Sequence, residues 1–284
     1  MPGDGAGPSP ERAFALLGNE TRIGILRALW EAGDPLSFSA LRERVGVDDS
    51  GQFNYHLDGL RGTFVRRTDE GYALRVPGIR VAGAVLSGSY TTGHHVDPVP
   101  VEGSCPDCGG DFALDTDEEA ENVRVRCVDC GRVVSQASVP PTVVADHDRE
   151  ELPAAYDRWV RSQFARSLDG FCVNCEGRVE PVLVPDRDGG RGPGVDCSCE
   201  RCGATVSTSA ATVLLFHPAV VSLYHDHGVD LDAVPLWNLG WSRGNTTRVV
   251  SEDPLRVAVT VEVDGDARTL TLDRAADVVA VADE

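Results

Sequence analysis

Apolar side chains recur at helical spacing through the first part of the chain, residues 10–92. The segments PERAFALLGN, ETRIGILRALWEAG, SFSALRERVG and GQFNYHLDGL each carry such a pattern and predict four helices. The next segment, TFVRRTDEGYALRV, has an Asp69-Glu70-Gly71 turn between two short strand-like runs and predicts a β-hairpin. A further apolar helix is predicted from Pro77, in PGIRVAGAVLSGSY. The predicted order is therefore four helices, a hairpin and a last helix.

The later part of the chain contains three more patterned segments. DREELPAAYDRWVRSQFARSLDG predicts one linking helix within residues 146–170, with its apolar side chains along one side. HPAVVSLYHDHGVDL predicts a helix that ends at Gly228. LRVAVTVEVDGDARTLTLDRAADVVAVAD alternates apolar and polar residues, and it predicts a hairpin followed by a third strand. The Gly- and Pro-rich residues 1–9 are predicted to be disordered.

The order of elements over residues 10–92 is that of a winged helix-turn-helix, and two short motifs suggest a family. LLGNETRIGILRAL followed by SFSALRERVGVDDSGQFNYHLDGL resembles the ArsR-like regulators of bacteria and archaea. Those regulators have a Thr-Arg-x-x-Ile-Leu helix and a Ser/Asn-x-His-Leu recognition helix. The resemblance implies binding of double-stranded DNA. It also implies that the helix after the hairpin supports a homodimer, although capping the core is an alternative role for that helix.

The fourth helix supplies most of the candidate DNA contacts. If Phe53, Leu57 and Leu60 face the core, the polar side chains of this helix face outward, and so does Asp58. Asn and Gln can pair with adenine edges, whereas Ser, Tyr and Arg suit phosphates. An alternative is that these are ordinary solvated side chains, and His56 is expected to pack or to contact a phosphate. The candidate DNA-binding residues are Ser50, Gln52, Asn54, Tyr55, Arg61, Arg66 and Arg67.

The charge distribution changes how this interface is interpreted. The net charge is −19, and every one of the 26 basic residues is an arginine. A Lys-free, Asp-rich chain with a pI near 4.7 is typical of a halophilic protein that stays soluble in molar salt, although a single unusually acidic protein is the alternative. Residues 1–93 hold 11 acids and 10 Arg, net −1, whereas residues 94–284 hold 34 acids and 16 Arg, net −18. The front part is thus the part suited to a negatively charged partner.

The nine cysteines indicate metal rather than disulfides, because most of them form CxxC pairs. Two C-x2-C…C-x2-C patterns fit zinc ribbons, in which four thiolates leave no open position on the metal. Cys197 is left over, because Cys199-x-x-Cys202-Gly203 matches the other pairs and Cys197 does not. Two structural Zn²⁺ sites are expected, while rubredoxin-like iron and pairing across the two ribbons stay open. The predicted ligands are Cys105, Cys108, Cys127 and Cys130 in the first site and Cys172, Cys175, Cys199 and Cys202 in the second.

Together these patterns predict an α+β multidomain protein. We expect a winged helix-turn-helix over 10–92, a first zinc ribbon over 100–140, a linking helix, a second ribbon over 171–210 and a C-terminal region of a small helix and antiparallel strands over 211–284. This order resembles a group of regulators in haloarchaea. His217, His225 and His227 are expected to serve packing or the surface, because the last two do not share a helix face.

We therefore expect a cytoplasmic, sequence-specific DNA-binding transcriptional regulator that forms a homodimer. The alternative is a protein-interaction module that docks on the transcription machinery without reading DNA sequence. The sequence contains no nucleophile elbow, phosphate loop or catalytic zinc motif with an open position, so we do not expect an enzyme. The apolar run ATVLLFHPAVVSLY is too short for a membrane span, and no membrane partner is expected. The sequence identifies no effector.

Overall fold

A computed structural model describes residues 7–93, 95–186, 192–243 and 246–283 of the protein, with the backbone alone at 242 and 243. The predicted disorder of residues 1–9 falls mostly outside these ranges, and residues 7–9 have no helix or strand. The chain divides into two compact units. The first comprises Met1–Gly93 with Pro140–Thr142, and the second comprises His94–Val139 with Val143–Glu284.

The first unit has the order of elements predicted from the sequence. Polar caps begin its helices: Asn19 accepts a hydrogen bond from the Arg22 N–H at 3.2 Å, and Asp49 accepts from the Gly51 and Gln52 N–H groups at 2.7 and 2.8 Å. Gly33 ends the second helix in the left-handed conformation. The elements are α1 (Pro10–Leu17), α2 (Glu20–Ala32), α3 (Phe38–Val45), α4 (Ser50–Leu60), β1 (Val65–Thr68), β2 (Gly71–Leu74) and α5 (Val76–Leu86).

One hydrophobic cluster joins α2, α3, α4 and the hairpin of the first unit. Phe53, Leu57 and Leu60 are fully buried in it, which confirms the predicted inner face of α4. Trp30 of α2 is 44% exposed, because Ile25, Leu26 and Leu29 already fill the core side of that helix. The buried face of α2 is therefore narrower than its set of apolar residues.

The β1–β2 hairpin is held against the segment before α3 by one close backbone approach. Leu36 and Tyr72 form an antiparallel bridge, with N–H···O distances of 3.0 and 2.8 Å. A Cβ at Gly71 would lie 2.2 Å from the Leu36 carbonyl oxygen, and Gly71 has φ 143°. Glycine is therefore required at this position by both space and conformation.

The second unit contains three antiparallel sheets within its described residues, so that the whole described chain has four. Their strand orders are β3-β4-β5-β6, β7-β8-β9 and β10-β11-β12-β13. The strands are β3 (Val99–Ser104), β4 (Asp111–Asp117), β5 (Asn122–Cys127), β6 (Val133–Ala137), β7 (Glu180–Val184), β8 (Gly194–Ser198), β9 (Thr205–Ser209), β10 (Thr247–Glu252), β11 (Leu255–Val263), β12 (Asp266–Leu272) and β13 (Val278–Asp283). The α-helices of this unit are α7 (Leu152–Leu168) and α8 (Pro218–Asp226), and α6 (Pro141–Ala145) begins in the first unit and ends in the second.

The segments of this unit share a single hydrophobic cluster, in which α7 and α8 pack with strands from all three sheets. The predicted linking helix is α7, and it is therefore part of the core. The C-terminal sheet has one strand more than the sequence predicted, because β10 precedes the expected hairpin. Among the described residues, no helix combines the length and the apolar character that crossing a membrane requires.

Candidate nucleic-acid interface and metal centres

The outward face of α4 carries the predicted polar side chains. Ser50, Gln52 and Asn54 are exposed, and Tyr55 is 67% exposed. The helix can present these side chains because Phe53 and Leu57, on its opposite face, anchor it in the core. The first turn also carries the Asp49 cap, whose pKa is lowered by the hydrogen bonds from the backbone N–H groups of Gln52 and Gly51.

Arginines converge where α4 ends and the hairpin begins. Arg61, Arg66, Arg67 and Arg75 line one shallow depression of about 550 Å³, together with Asp58. The structure thus brings three predicted DNA contacts together, whereas Ser50 and Gln52 lie at the opposite end of α4. Arginine side chains that line one depression are suited to binding phosphate oxygens.

Arg75 was missed by the sequence analysis. Its guanidinium donates a hydrogen bond to the Gly62 carbonyl, which holds it beside the α4–β1 connection. Arg75 lies between β2 and α5, where neither strand nor helix periodicity assigns it a face. Only the pairing of β1 with β2 brings it back to residue 62.

Asp58 is paired rather than free on the outward face of α4. It accepts hydrogen bonds from Asn54 Nδ2 at 2.9 Å and from Arg61 Nη1 at 2.8 Å. The Asp58 carboxylate raises the pKa of Arg61, first through the hydrogen bond and then through its charge. These three side chains form a polar chain along the helix, in which Arg61 balances the negative charge of Asp58.

His56 faces inward and is 9% exposed, which supports the packing alternative. Burial lowers its pKa first, and the nearby Arg22 guanidinium lowers it further. A neutral imidazole on the inner side of α4 is poorly suited to a phosphate contact.

The first four-cysteine cluster has the geometry of a tetrahedral metal site. The Sγ atoms of Cys105 and Cys130 lie 3.6 Å apart, those of Cys108 and Cys127 lie 3.5 Å apart, and all four lie within 4.8 Å of one another. Tetrahedral coordination at a metal–sulfur distance of about 2.3 Å requires sulfurs about 3.8 Å apart, whereas a disulfide is about 2.05 Å long. The donor set therefore fits a metal ion and not two disulfides.

The second cluster repeats this arrangement. The two clusters also show which cysteine is left over and whether ligands cross between the two ribbons. Sγ distances of 3.6 Å join Cys172 to Cys202 and Cys175 to Cys199. Cys197 lies outside the cluster, as predicted from the spacing; it is buried on β8, and burial raises the pKa of its thiol to about 11. Each cluster draws its four sulfurs from its own two CxxC segments, so ligands are not exchanged between the clusters.

Tight turns and backbone N–H groups prepare these thiols for a cation. In the first cluster, the Gly109 and Gly131 N–H groups donate to the Cys105 and Cys127 carbonyls at 2.8 and 3.1 Å, and both glycines have φ near +75° (76° and 75°). The backbone N–H of Cys130 is the main cause that lowers the pKa of Cys127 to about 7, whereas, against the backbone N–H of Gly110, hydrogen bonds to Cys127 and Cys130 raise the pKa of Cys108 to about 12. Thiolates are the metal-binding form of cysteine, and it is the close spacing of the four sulfurs that favours a bound cation.

Unlike the clustered cysteines, His217 and His227 make contacts of other kinds. His217 caps α8 by accepting a hydrogen bond from the Ala219 N–H at 3.2 Å, and Nε2 of His227 lies 3.1 Å from the carboxylate of Asp266, the first residue of β12. In the described part of the chain, neither joins a group of three or more potential ligands close enough for one ion.

Two sequence families match the chain. Residues 102–278 match the family described as Domain of unknown function (DUF7351), and residues 10–85 match the one described as Domain of unknown function (DUF7347). The first match contains both cysteine clusters, and the second contains α4 and the hairpin. Neither the curated proteins nor the solved structures include a match to this chain.

Proposed function

The chain belongs to the family of the domain of unknown function DUF7351, and on that premise we propose, from the geometry of its sites, that it is a sequence-specific DNA-binding transcriptional regulator. In this proposal, residues 10–92 form an ArsR-like winged helix-turn-helix. The later part of the chain carries two structural zinc ions. The observation that carries the proposal is the convergence of four arginines beside the exposed polar face of α4.

Each element of the first unit has a role in this proposal. α3 and α4 are the helix pair, separated by the short segment that Asp49 ends as a cap. The exposed side of α4 enters the major groove, where Asn54 and Gln52 can reach base edges. The β1–β2 hairpin is the wing, and Arg66 and Arg67 on β1 contact the phosphate backbone.

The charge of this unit supports the same proposal. Residues 1–93 have a net charge of −1 within a chain of −19, so that the strongly acidic surface lies elsewhere. In molar salt, counterion release contributes less to affinity. Hydrogen bonds from α4 to the bases then carry a larger share of the binding free energy.

We propose a homodimer, with α5 as part of its interface. Gly78 and Ala82 of α5 face the core of the unit, whereas Val76 and Ile79 are exposed at 68% and 41%. Exposed apolar side chains on one helix support a role in protein association in addition to capping the core.

Both cysteine clusters are proposed to hold Zn²⁺ as a structural ion. Four thiolates at tetrahedral spacing occupy every coordination position, so that a bound zinc ion has no site for substrate. Each zinc ion would cross-link the two CxxC segments that carry its four cysteines, within one small sheet.

Substitution of Asn54 by alanine is expected to reduce discrimination between target and random DNA about tenfold or more, because a bidentate base contact contributes about 1–3 kcal/mol. The Arg66→Ala, Arg67→Ala double variant should weaken binding to both DNAs alike, since phosphate contacts carry no sequence information. Targets would be identified by genome-wide occupancy, and affinities measured by gel shift in molar salt.

Arg27→Ala is the matched control, because Arg27 is an exposed arginine of the same unit that pairs with Glu31 and does not line the depression. It should leave both affinities unchanged. If the wild-type protein binds every sequence equally, or binds none, the regulator proposal fails and the protein-interaction alternative gains support.

For Asp58→Ala, we expect DNA affinity to change in the direction opposite to the one that charge alone predicts. Removal of a negative charge near DNA should by itself strengthen binding to all sequences. We expect instead that affinity for the target falls several-fold, because Asp58 orders Asn54 and Arg61 before DNA arrives. Paired titrations with target and random DNA would measure the ratio of affinities; an equal rise for both DNAs would mean that Asp58 only repels.

A further inference from the structure

Arg22 of α2 lies against the helix that carries the proposed base contacts. Its guanidinium carbon is 5.8 Å from the centroid of the Tyr55 ring, a distance at which a cation–π attraction operates. Its Nη1 donates a hydrogen bond to the Leu16 carbonyl at 3.2 Å. The guanidinium of Arg22 is thus held by the chain before α2 through one nitrogen, and it reaches the outward-facing tyrosine of α4.

Gly59 provides the space for this contact. A Cβ at residue 59 would lie 3.0 Å from Nη2 of Arg22 and 3.2 Å from its Cζ. Since Tyr55 and Gly59 are four residues apart, they lie on the same face of α4, one turn from each other. The guanidinium occupies the surface of α4 that the missing side chain leaves open.

The stability of the fold does not explain why the Arg22 guanidinium lies against α4. Nε of Arg22 and Nδ1 of His56 are buried, and neither has a hydrogen-bond partner among the described residues. A buried donor without a partner costs folding free energy. Such a cost is expected where a side chain serves a site and not the stability of the core.

We propose that Arg22 is a positioning residue for DNA recognition, and that Gly59 is the gap that admits its guanidinium. The guanidinium holds the Tyr55 ring from one side, while the rest of the ring stays exposed for DNA. This proposal rests on the proposed function, since it assumes that α4 binds DNA. A ring that is already ordered loses less conformational entropy on binding than a mobile ring does.

Gly59→Ala separates positioning from stability. The new methyl group should push the guanidinium a few tenths of an ångström from its place beside Tyr55, and affinity for target DNA should fall about twofold to threefold as the ring loses part of its order. Alanine is also a better helix former than glycine, so the thermal midpoint of the first unit should stay equal or rise. A residue with a purely structural role would lower affinity and stability together.

Gly83→Ala is the matched control. Gly83 lies inside α5, and a Cβ there meets nothing within 4 Å. It should give the same gain in helix propensity, and it is a control for the thermal midpoint alone because α5 belongs to the proposed dimer interface. A second arm combines Arg22→Gln with Tyr55→Ala in a double-mutant cycle of DNA affinities, in which coupled residues give non-additive losses.

The measurements on these variants have three distinguishable outcomes. Weaker target binding by Gly59→Ala at an undiminished thermal midpoint, together with non-additive losses for Arg22 and Tyr55, supports the positioning role. If Tyr55→Ala weakens target binding but Gly59→Ala and Arg22→Gln do not, the positioning role is wrong and the proposed function stands. If the wild-type protein does not distinguish DNA sequences, both proposals fail.

Discussion

Replacement of Cys108 by serine is expected to remove one of the two proposed zinc ions and to unfold much of the second unit. Cys108 is exposed, so the substitution removes a ligand atom with little loss of packing. Structural zinc in small modules contributes about 10–16 kcal/mol of apparent binding free energy. The free energy of unfolding of a typical domain is only about 5–15 kcal/mol. The loss of one such ion is therefore comparable to the whole stability of the unit.

The measurement is elemental analysis of the purified chain, together with thermal unfolding. Wild-type protein should contain near two zinc ions per chain, one for each cluster, and the Cys108→Ser variant should contain one. Cys197→Ser is the matched control: this cysteine lies in the same unit outside both clusters, so both ions should remain. Loss of an ion from Cys197→Ser, or two ions in Cys108→Ser, would contradict the assignment of ligands.

Removal of both ions with a chelator should act on the second unit more than on the first. The first unit has its own hydrophobic cluster and contains no cysteine. Limited proteolysis after chelation should therefore degrade the chain beyond residue 93 and leave residues 10–92 protected. Iron in place of zinc would be recognised in the same elemental analysis.

The parts of the structure that local chemistry determines could be predicted from the sequence. The helices of the first unit follow from periodicity and from their caps, and Phe53, Leu57 and Leu60 face the core as their spacing requires. The cysteine clusters follow from the CxxC spacing, because each tight turn places two thiols on one side. Even the Asn54–Asp58 pair had a signal, since residues four apart on a helix are neighbours.

The parts that depend on contacts distant in sequence could not be predicted. Strand β10 is largely exposed and lacks alternation, so its conformation comes from pairing with β11. Arg75 joins Arg61 only because the hairpin folds back, and Arg22 reaches Tyr55 only because α2 packs with α4. The common core of the second unit also requires tertiary packing, which segment-by-segment patterns do not contain.

Substitution of Asp157 by alanine is expected to destabilise the second unit by about 3–5 kcal/mol, because it breaks a buried ion pair and leaves the buried Arg161 with only the exposed Asp232 carboxylate, 3.7 Å away, as an ionic partner. Asp157 and Arg161 lie one turn apart on α7, and their side chains are only 5% and 7% exposed. Asp157 accepts hydrogen bonds from Arg161 Nε at 2.7 Å and from the Leu236 N–H at 2.8 Å. Arg161 in turn donates to the Val234 carbonyl, so the pair fixes the 234–236 segment to α7.

The exposed pair of Arg178 and Glu180 in the same unit is the matched control, because its side chains are 84% and 70% exposed. Glu180→Ala should cost less than about 1 kcal/mol, since exposed pairs contribute little. Chemical denaturation at low and at molar salt would measure both variants. The Asp157→Ala effect should persist in molar salt, because salt screens buried charges much less than exposed ones.

The double variant Asp157→Leu, Arg161→Met tests the cause of the loss. It should cost less than Asp157→Ala alone, because no uncompensated charge remains in the core. Equal losses for the single and the double variant would mean instead that the hydrogen bonds to residues 234 and 236 dominate. If the protein works in concentrated salt, as its composition predicts, its surface charges are screened, and a buried pair of this kind is where a single ionic contact can still determine the packing of a segment.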